Sequence, residues 1–167
     1  MVGLEVDRGK PGSKYHLLRD AIGIPLAVGL SAANTHDSQL LGQLVDAVPA
    51  IMGRGDGPVR PRERPVKLHA DKGYDCPGGR RALRRRGIRP RIARRGVESS
   101  QRLGRHRWKV ERSLAWLLAN RRLVVRYERR ADILTAFLHL ACALICARKL
   151  QSPRTTSRPL PAVDCVI

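Results

Sequence analysis

Residues 65–75 read PVKLHADKGYD. Val66, Leu68 and Ala70 alternate with Lys67 and His69, and the run then meets an acid, a glycine and a tyrosine. That pattern predicts a short strand over Pro65 to Ala70 with Asp71 at its C-terminal edge. Such strand ends are where α/β sheets gather their ligands. An aspartate ahead of Lys72-Gly73 also suits an ordinary turn, in which the carboxylate bonds backbone two residues on. Spacing alone leaves both readings open.

Outward from this stretch, Pro77 predicts a helix start, and the helix runs to Arg86 until Gly87 stops it. Ile88 to Ala93 predicts another short strand, which Pro90 places at an edge. Arg94 to Gly104 reads as a polar loop. Arg105 to Arg122 predicts a helix with Val110, Leu114, Leu117 and Leu118 on one side, and Arg130 to Leu150 a second helix, apolar in its middle. Upstream, residues 1–13 carry Gly3, Gly9, Pro11 and Gly12 and are expected to be irregular. Tyr15 to Ala21 and Pro25 to Ser31 read as strands of a hairpin around Gly23. Asn34, Thr35 and Asp37 offer N-caps to a helix bearing Leu40, Leu41, Leu44, Val45 and Val48. Residues 53–65 read as a loop. Residues 151–167 contain three prolines with Ser and Thr, and their composition predicts a disordered tail. Alternating strands and helices predict an α/β layer fold, one domain over 1–150.

Lys and Arg number 33 against 14 Asp and Glu, a net charge of +19. A charge of that size opposes compaction unless anions neutralise it, and nucleic acid is the commonest such anion. Residues 80–95, RRALRRRGIRPRIARR, hold nine arginines in sixteen positions. Guanidinium forks match phosphate oxygens, so the cluster reads as a phosphate-binding surface in preference to a merely solvated face. Only 4% of residues are aromatic, which argues against a single-strand binder built on base stacking. The N-terminus has no apolar h-region of a secretory signal. The longest apolar run, Ile133 to Ala147, contains His139 and is shorter than the roughly 18 residues of a membrane span. A soluble, intracellular basic domain is expected. Cys76, Cys142, Cys146 and Cys165 form no CxxC pair and are expected as free thiols. His139, Cys142 and Cys146 share a helix face, but the small residues of FLHLACALIC read better as core filler than as a metal site.

Among so few carboxylates, Glu111 in RWKVERSLAWL is the second of interest, because it borders the apolar stripe of its helix. Arg107 stands four residues earlier, so a helical ion pair is one reading. Set against Asp71, Glu111 suits Mg²⁺, which takes carboxylate oxygens, water and substrate phosphates. Two such ions activate an attacking oxygen and stabilise a leaving one.

HADKGYD (His69 to Asp75) resembles the second-aspartate motif of bacterial DDE transposases, and RWKVERSLAWL (Arg107 to Leu117) resembles their glutamate motif. VDRGKPGSKYHLL, GIPLAV, NTHDSQLL and ERRADILTAFLHLACALI are similar to the insertion-sequence-five type, so the resemblance covers about residues 3–150. It implies a ribonuclease-H-like fold in which Asp, Asp and Glu hold two Mg²⁺ or Mn²⁺ ions. It also implies hydrolysis at the transposon ends, followed by attack of the freed 3′-hydroxyl on target DNA. By this resemblance Asp71 and Glu111 are catalytic and metal-binding, and Arg107 and Arg112, with Lys72, Arg94 and Arg95, contact DNA. The family's first aspartate lies on a first strand upstream of the VDRG motif. Neither Asp7 nor Asp20 matches it, and Glu5 or Asp7 replaces it only if residues 2–7 form that strand.

The expectation is therefore a ribonuclease-H-like fold lacking its first strand, either a truncated remnant or the downstream product of a split frame, inactive alone. Expected partners are double-stranded DNA and either a second copy or an upstream-frame product, in the bacterial cytoplasm at the nucleoid. Two other classes compete: a non-catalytic DNA-binding regulator of transposition, and a basic RNA-binding protein of ribosomal type.

Overall fold

A computed structural model describes residues 3–6, 10–51, 61, 64–94, 112–151 and 164–166. Its strands are β1 (Gly3–Val6), β2 (Lys10–Arg19), β3 (Pro25–Ala32), β4 (Lys67–Ala70), β5 (Arg89–Ile92) and β6 (Asp164–Val166). The helices are α1 (Leu41–Asp46), α2 (Pro77–Arg85), α3 (residues 112–118), α4 (Arg121–Val124) and α5 (Ala131–Gln151), with 3₁₀ turns at Asp37–Gln39 and Lys72–Tyr74. The chain is mixed α/β, as its alternating pattern predicts.

The sheet has two unlike halves. β1, β2 and β3 are antiparallel, whereas β4 and β5 are parallel and joined through α2. The strand order is β1-β2-β6-β4-β5, with β3 also paired to β2. β6 stands between the halves, antiparallel to β2 through Arg19↔Val166 and parallel to β4 through Lys67↔Asp164 to His69↔Val166. Among the described residues no ladder joins β2 to β4 directly.

The β2–β3 turn is built by Asp20, whose Oδ1 accepts from the N–H groups of Ile22 (3.0 Å) and Ile24 (2.7 Å). Gly23 takes a φ of 99° there, a conformation that side-chain-bearing residues disfavour. Successive strand residues face opposite ways, so Leu18 enters one core and Leu17 another. Leu18 packs with Leu41, Leu44, Val45, Leu68, Leu83 and Ile88. Leu17 packs with Leu117, Leu123, Leu134, Leu138 and Ile145. Helices thus cover β2 on both faces.

Several sequence expectations change. Residues 3–6 and 10–13 are strands, not an irregular lead-in, because pairing overrides the low strand propensity of Gly and Pro. The expected helix 105–122 breaks at Asn120, which is extended (φ −87°, ψ 109°) and whose Nδ2 donates 3.0 Å to the Leu117 carbonyl. Residues 105–111 lie outside the described ones. The region expected as a disordered tail begins with Gln151, the last residue of α5, and contains β6. α5 spans 21 residues and reaches a hydropathy of 1.7 over an 18-residue window, so by length and composition it can cross a membrane, contrary to the expectation of too short a run. In the fold its Leu134, Leu138, Ala141, Cys142 and Ile145 face the core, and the helix lies against β3.

Candidate active site

Strand β4 ends at Ala70 and delivers Asp71 exposed to solvent. Asp71 caps the following turn: its Oδ1 accepts 2.7 Å from the Gly73 N–H. The turn reading and the site reading of Asp71 are therefore compatible, since capping occupies one carboxylate oxygen.

Gly73 is fixed from its other side. A Cβ on Gly73 would lie 2.6 Å from Asp37 Oδ2, so a side chain there requires that carboxylate or the turn to shift. Lys14 Nζ holds Asp37, donating 3.0 Å to its Oδ1 and 3.1 Å to the Thr35 carbonyl. NTHDSQLL and HADKGYD, far apart in sequence, thus meet at Gly73.

Beneath the turn, Tyr74 is buried. Its hydroxyl lies 2.7 Å from His16 Nδ1, and His16 Nε2 lies 2.8 Å from Ser31 Oγ. The His16 ring thus bridges the Tyr74 and Ser31 hydroxyls, with the donor at each contact set by its tautomer. Burial pushes the Tyr74 hydroxyl well above its ordinary pKa, and the charges of Asp37 and Asp71 push the same way. The phenol therefore stays protonated. Lys14, His16, Ser31 and Tyr74 had no assigned role in the sequence reading and Asp37 only that of an N-cap, which His36 takes instead, although the quoted motifs contain all of them but Ser31.

The parallel register Ala70↔Ile92 carries Arg94, two residues past β5, to the sheet end that bears Asp71, and Arg94 is exposed. Lys72 is half-buried in the Asp71 turn. Arg112, the first described residue of α3, lies beside the β2–β3 turn: Nη2 donates 3.4 Å to the Ile22 carbonyl, and its guanidinium stands 5.1 Å from the Trp116 ring centre. Through β6, Arg19 is level with His69, so that turn lies toward the N-terminal end of β4, away from Asp71. Glu111, Arg107 and Arg95 lie outside the described residues.

The arginine cluster divides by use. Arg80 donates to Asp75 (2.8 Å) and the Ile92 carbonyl, and Arg86 forks onto Asp46. Arg81, Arg84, Arg85, Arg89 and Arg91 are exposed, like Arg94. On α5, His139 is exposed whereas Cys142 is buried. Burial pushes the Cys142 thiol up to about 12, which keeps it protonated at neutral pH and suits core packing. Among the described residues no three His, Cys, Asp or Glu side chains gather as a metal site.

Comparison with known proteins shows the family. The family model described as "Transposase DDE domain" matches residues 5–146. A Burkholderia cepacia protein named "Putative transposase for insertion sequence element IS402" is 52% identical over 146 residues, covering 87% of this chain and 67% of that protein. No solved structure matches. The matched region contains both β4 with Asp71 and the RWKVER segment, and the chain belongs to the DDE transposase family.

Proposed function

We propose that this chain is the catalytic-domain portion of an insertion-sequence transposase, built on a ribonuclease-H-like scaffold and acting on double-stranded DNA. Asp71 and Glu111 supply two of its three acids. The observation that carries the reading is Asp71 itself: an exposed carboxylate at the C-terminal end of an inner parallel strand, with one oxygen anchored by Gly73 N–H. Asp71 and Glu111 would offer Mg²⁺ or Mn²⁺ hard oxygen donors, provided Glu111 reaches the Asp71 end of the sheet, and the ions would supply activation of the attacking oxygen and stabilisation of the leaving one. Gly73 and Asp37 orient the Asp71 turn. Lys72, Arg94, Arg95, Arg107 and Arg112 contact the DNA backbone, helped by the exposed arginines of residues 80–95.

A third acid is not identified among the described residues. Glu5 stands on β1, which pairs with β2 at Lys10–Gly12, and Asp7 lies outside the described residues. On this reading the described acids alone make a poor nuclease, and a second copy completes the acid set, in the bacterial cytoplasm at the nucleoid. The test incubates the purified chain with duplex DNA carrying insertion-sequence ends and Mg²⁺ or Mn²⁺. The expected result is binding without cleavage, and vigorous cleavage by this chain alone would overturn the inactivity. A second reading, a non-catalytic DNA-binding regulator, draws on the exposed arginines. It gains if Asp71→Ala with Glu111→Ala leaves every effect on transposition intact.

A further inference from the structure

α5 is apolar on two sides. One side, with Leu134, Leu138, Ala141, Cys142 and Ile145, is spent on the core, where the helix lies against β3 and α4. The other side carries Ile133, Ala136, Leu140, Ala143, Ala147 and Leu150. These residues alternate three and four apart, the spacing of a seam between paired helices. All six are exposed, Leu140 by 57% and Leu150 by 78%, and exposed Leu144 widens the seam at its middle. Residues 133–147 contain no Asp, Glu, Lys or Arg, in a chain of net charge +19. A helix apolar all round is out of place in water, and such exposed patches mark interaction sites.

The chemistry of the seam selects its occupant. The seam offers no cation to a phosphate, so DNA does not fit it. A membrane crossing would pull Leu134 and Leu138, both fully buried, out of the core they share with Leu17 and Leu117. A second copy of α5 fits by size. In an antiparallel pair with its two-fold axis between Leu140 and Ala143, Leu140 stands level with the other copy's Ala143, Ala136 with its Ala147, and Ile133 with its Leu150. Each central level then contains an alanine, which lets the helices approach closely, and the bulky residues close the two ends. Charge fixes the direction. Arg148 and Lys149 end the helix and Asp132 begins it. Parallel pairing would press the cations of both copies together. Antiparallel pairing sets them beside the Asp132 end of the other copy, with the macrodipoles opposed.

We propose that the outer face of α5 is a homodimer interface, in which two copies of this chain pair antiparallel along residues 133–150. The pairing says where the second copy invoked above sits, but it rests on α5 alone. Sedimentation without DNA therefore tests it separately from the acids.

The test is sedimentation equilibrium of the full chain. Wild type is expected as a dimer that dissociates on dilution. Leu140→Glu, at the two-fold axis, weakens the dimer by about a hundredfold or more, with the far-ultraviolet circular dichroism unchanged. Ala136→Glu, also exposed, gives the same readout should Leu140→Glu disturb the fold. Orientation is read by oxidising a mixture of Ile133→Cys chains and Leu150→Cys chains. Within one helix these sites are roughly 25 Å apart, so a disulfide between them joins two copies, and neither variant alone exceeds wild type in cross-linking. The proposal is overturned if wild type is monomeric at every concentration, or if the dimer survives both glutamates. Cross-linking of Ile133→Cys chains to one another overturns it too, since the pair is then parallel. A monomeric chain that floats with neutral phosphatidylcholine vesicles overturns it in favour of lipid.

Discussion

The Tyr74 hydroxyl lies 2.7 Å from Nδ1 of His16, linking the turn that carries Asp71 to the buried face of β2. A phenol at the end of HADKGYD thereby holds a histidine whose other nitrogen is bound to Ser31 on β3. Tyr74→Phe keeps the ring and removes the hydroxyl bonded to Nδ1. The expected loss is about 1–3 kcal/mol in urea unfolding. No measurable loss would mean that the bond contributes nothing to the fold.

Gly73 and Asp37 form a coupled pair. A methyl group on residue 73 collides with Asp37 Oδ2, so Gly73→Ala displaces the Asp71 turn at a cost of about 1–3 kcal/mol. Asp37→Ala removes the obstacle, and the double variant recovers part of that loss, a coupling of roughly 0.5–3 kcal/mol. A double-mutant cycle in chemical denaturation reads it, and strict additivity would refute the contact.

Cys142 sets a pH dependence. Its thiol ionises near 9.0 in an ordinary setting, and burial pushes it up to about 12 in the fold, with Cys146 adding to the shift. The folded chain therefore holds this proton more tightly than the unfolded one. The contribution is complete below pH 9 and is lost as pH rises toward 12. Unfolding measured from pH 8 upward should show wild type losing stability faster than Cys142→Ala. Parallel curves would exclude the effect.

DNA affinity should fall steeply with salt, because phosphate contacts release counterions. Replacing Arg81, Arg84 and Arg85, all exposed on α2, with serine should flatten the slope of log affinity against log salt by roughly one per lost contact. Arg86→Ser should leave the slope unchanged, since Asp46 already occupies that guanidinium. Equal slopes for all variants would remove the arginine cluster from the interface.

Periodicity made β3, β4, β5, α2 and α5 legible to within a few residues, because each carries its own alternation or helical stripe. β1 was not legible, since Gly3 and Val6 acquire strand geometry only by pairing with Gly12 and Lys10. β6 was hidden for the same reason: Asp164, Cys165 and Val166 follow a proline-rich segment, and their place depends on strands nearly a hundred residues and more away. At the site, Asp71 could be read from its strand end, whereas its supports could not. That Asp37 touches Gly73, and that His16 meets Tyr74, are facts of tertiary packing with no local signature.

The keystone position of β6 bears on how the protein comes into being. The residues that join the two halves of the sheet follow β4 by nearly a hundred positions, so during translation the β2–β3 hairpin and the β4–β5 unit wait with unsatisfied edges until β6 is made. Long-range pairing of this kind is slow and exposed to aggregation. The nascent chain is therefore at its most vulnerable between the making of β5 and of β6, an interval in which chaperones would shield the open edges.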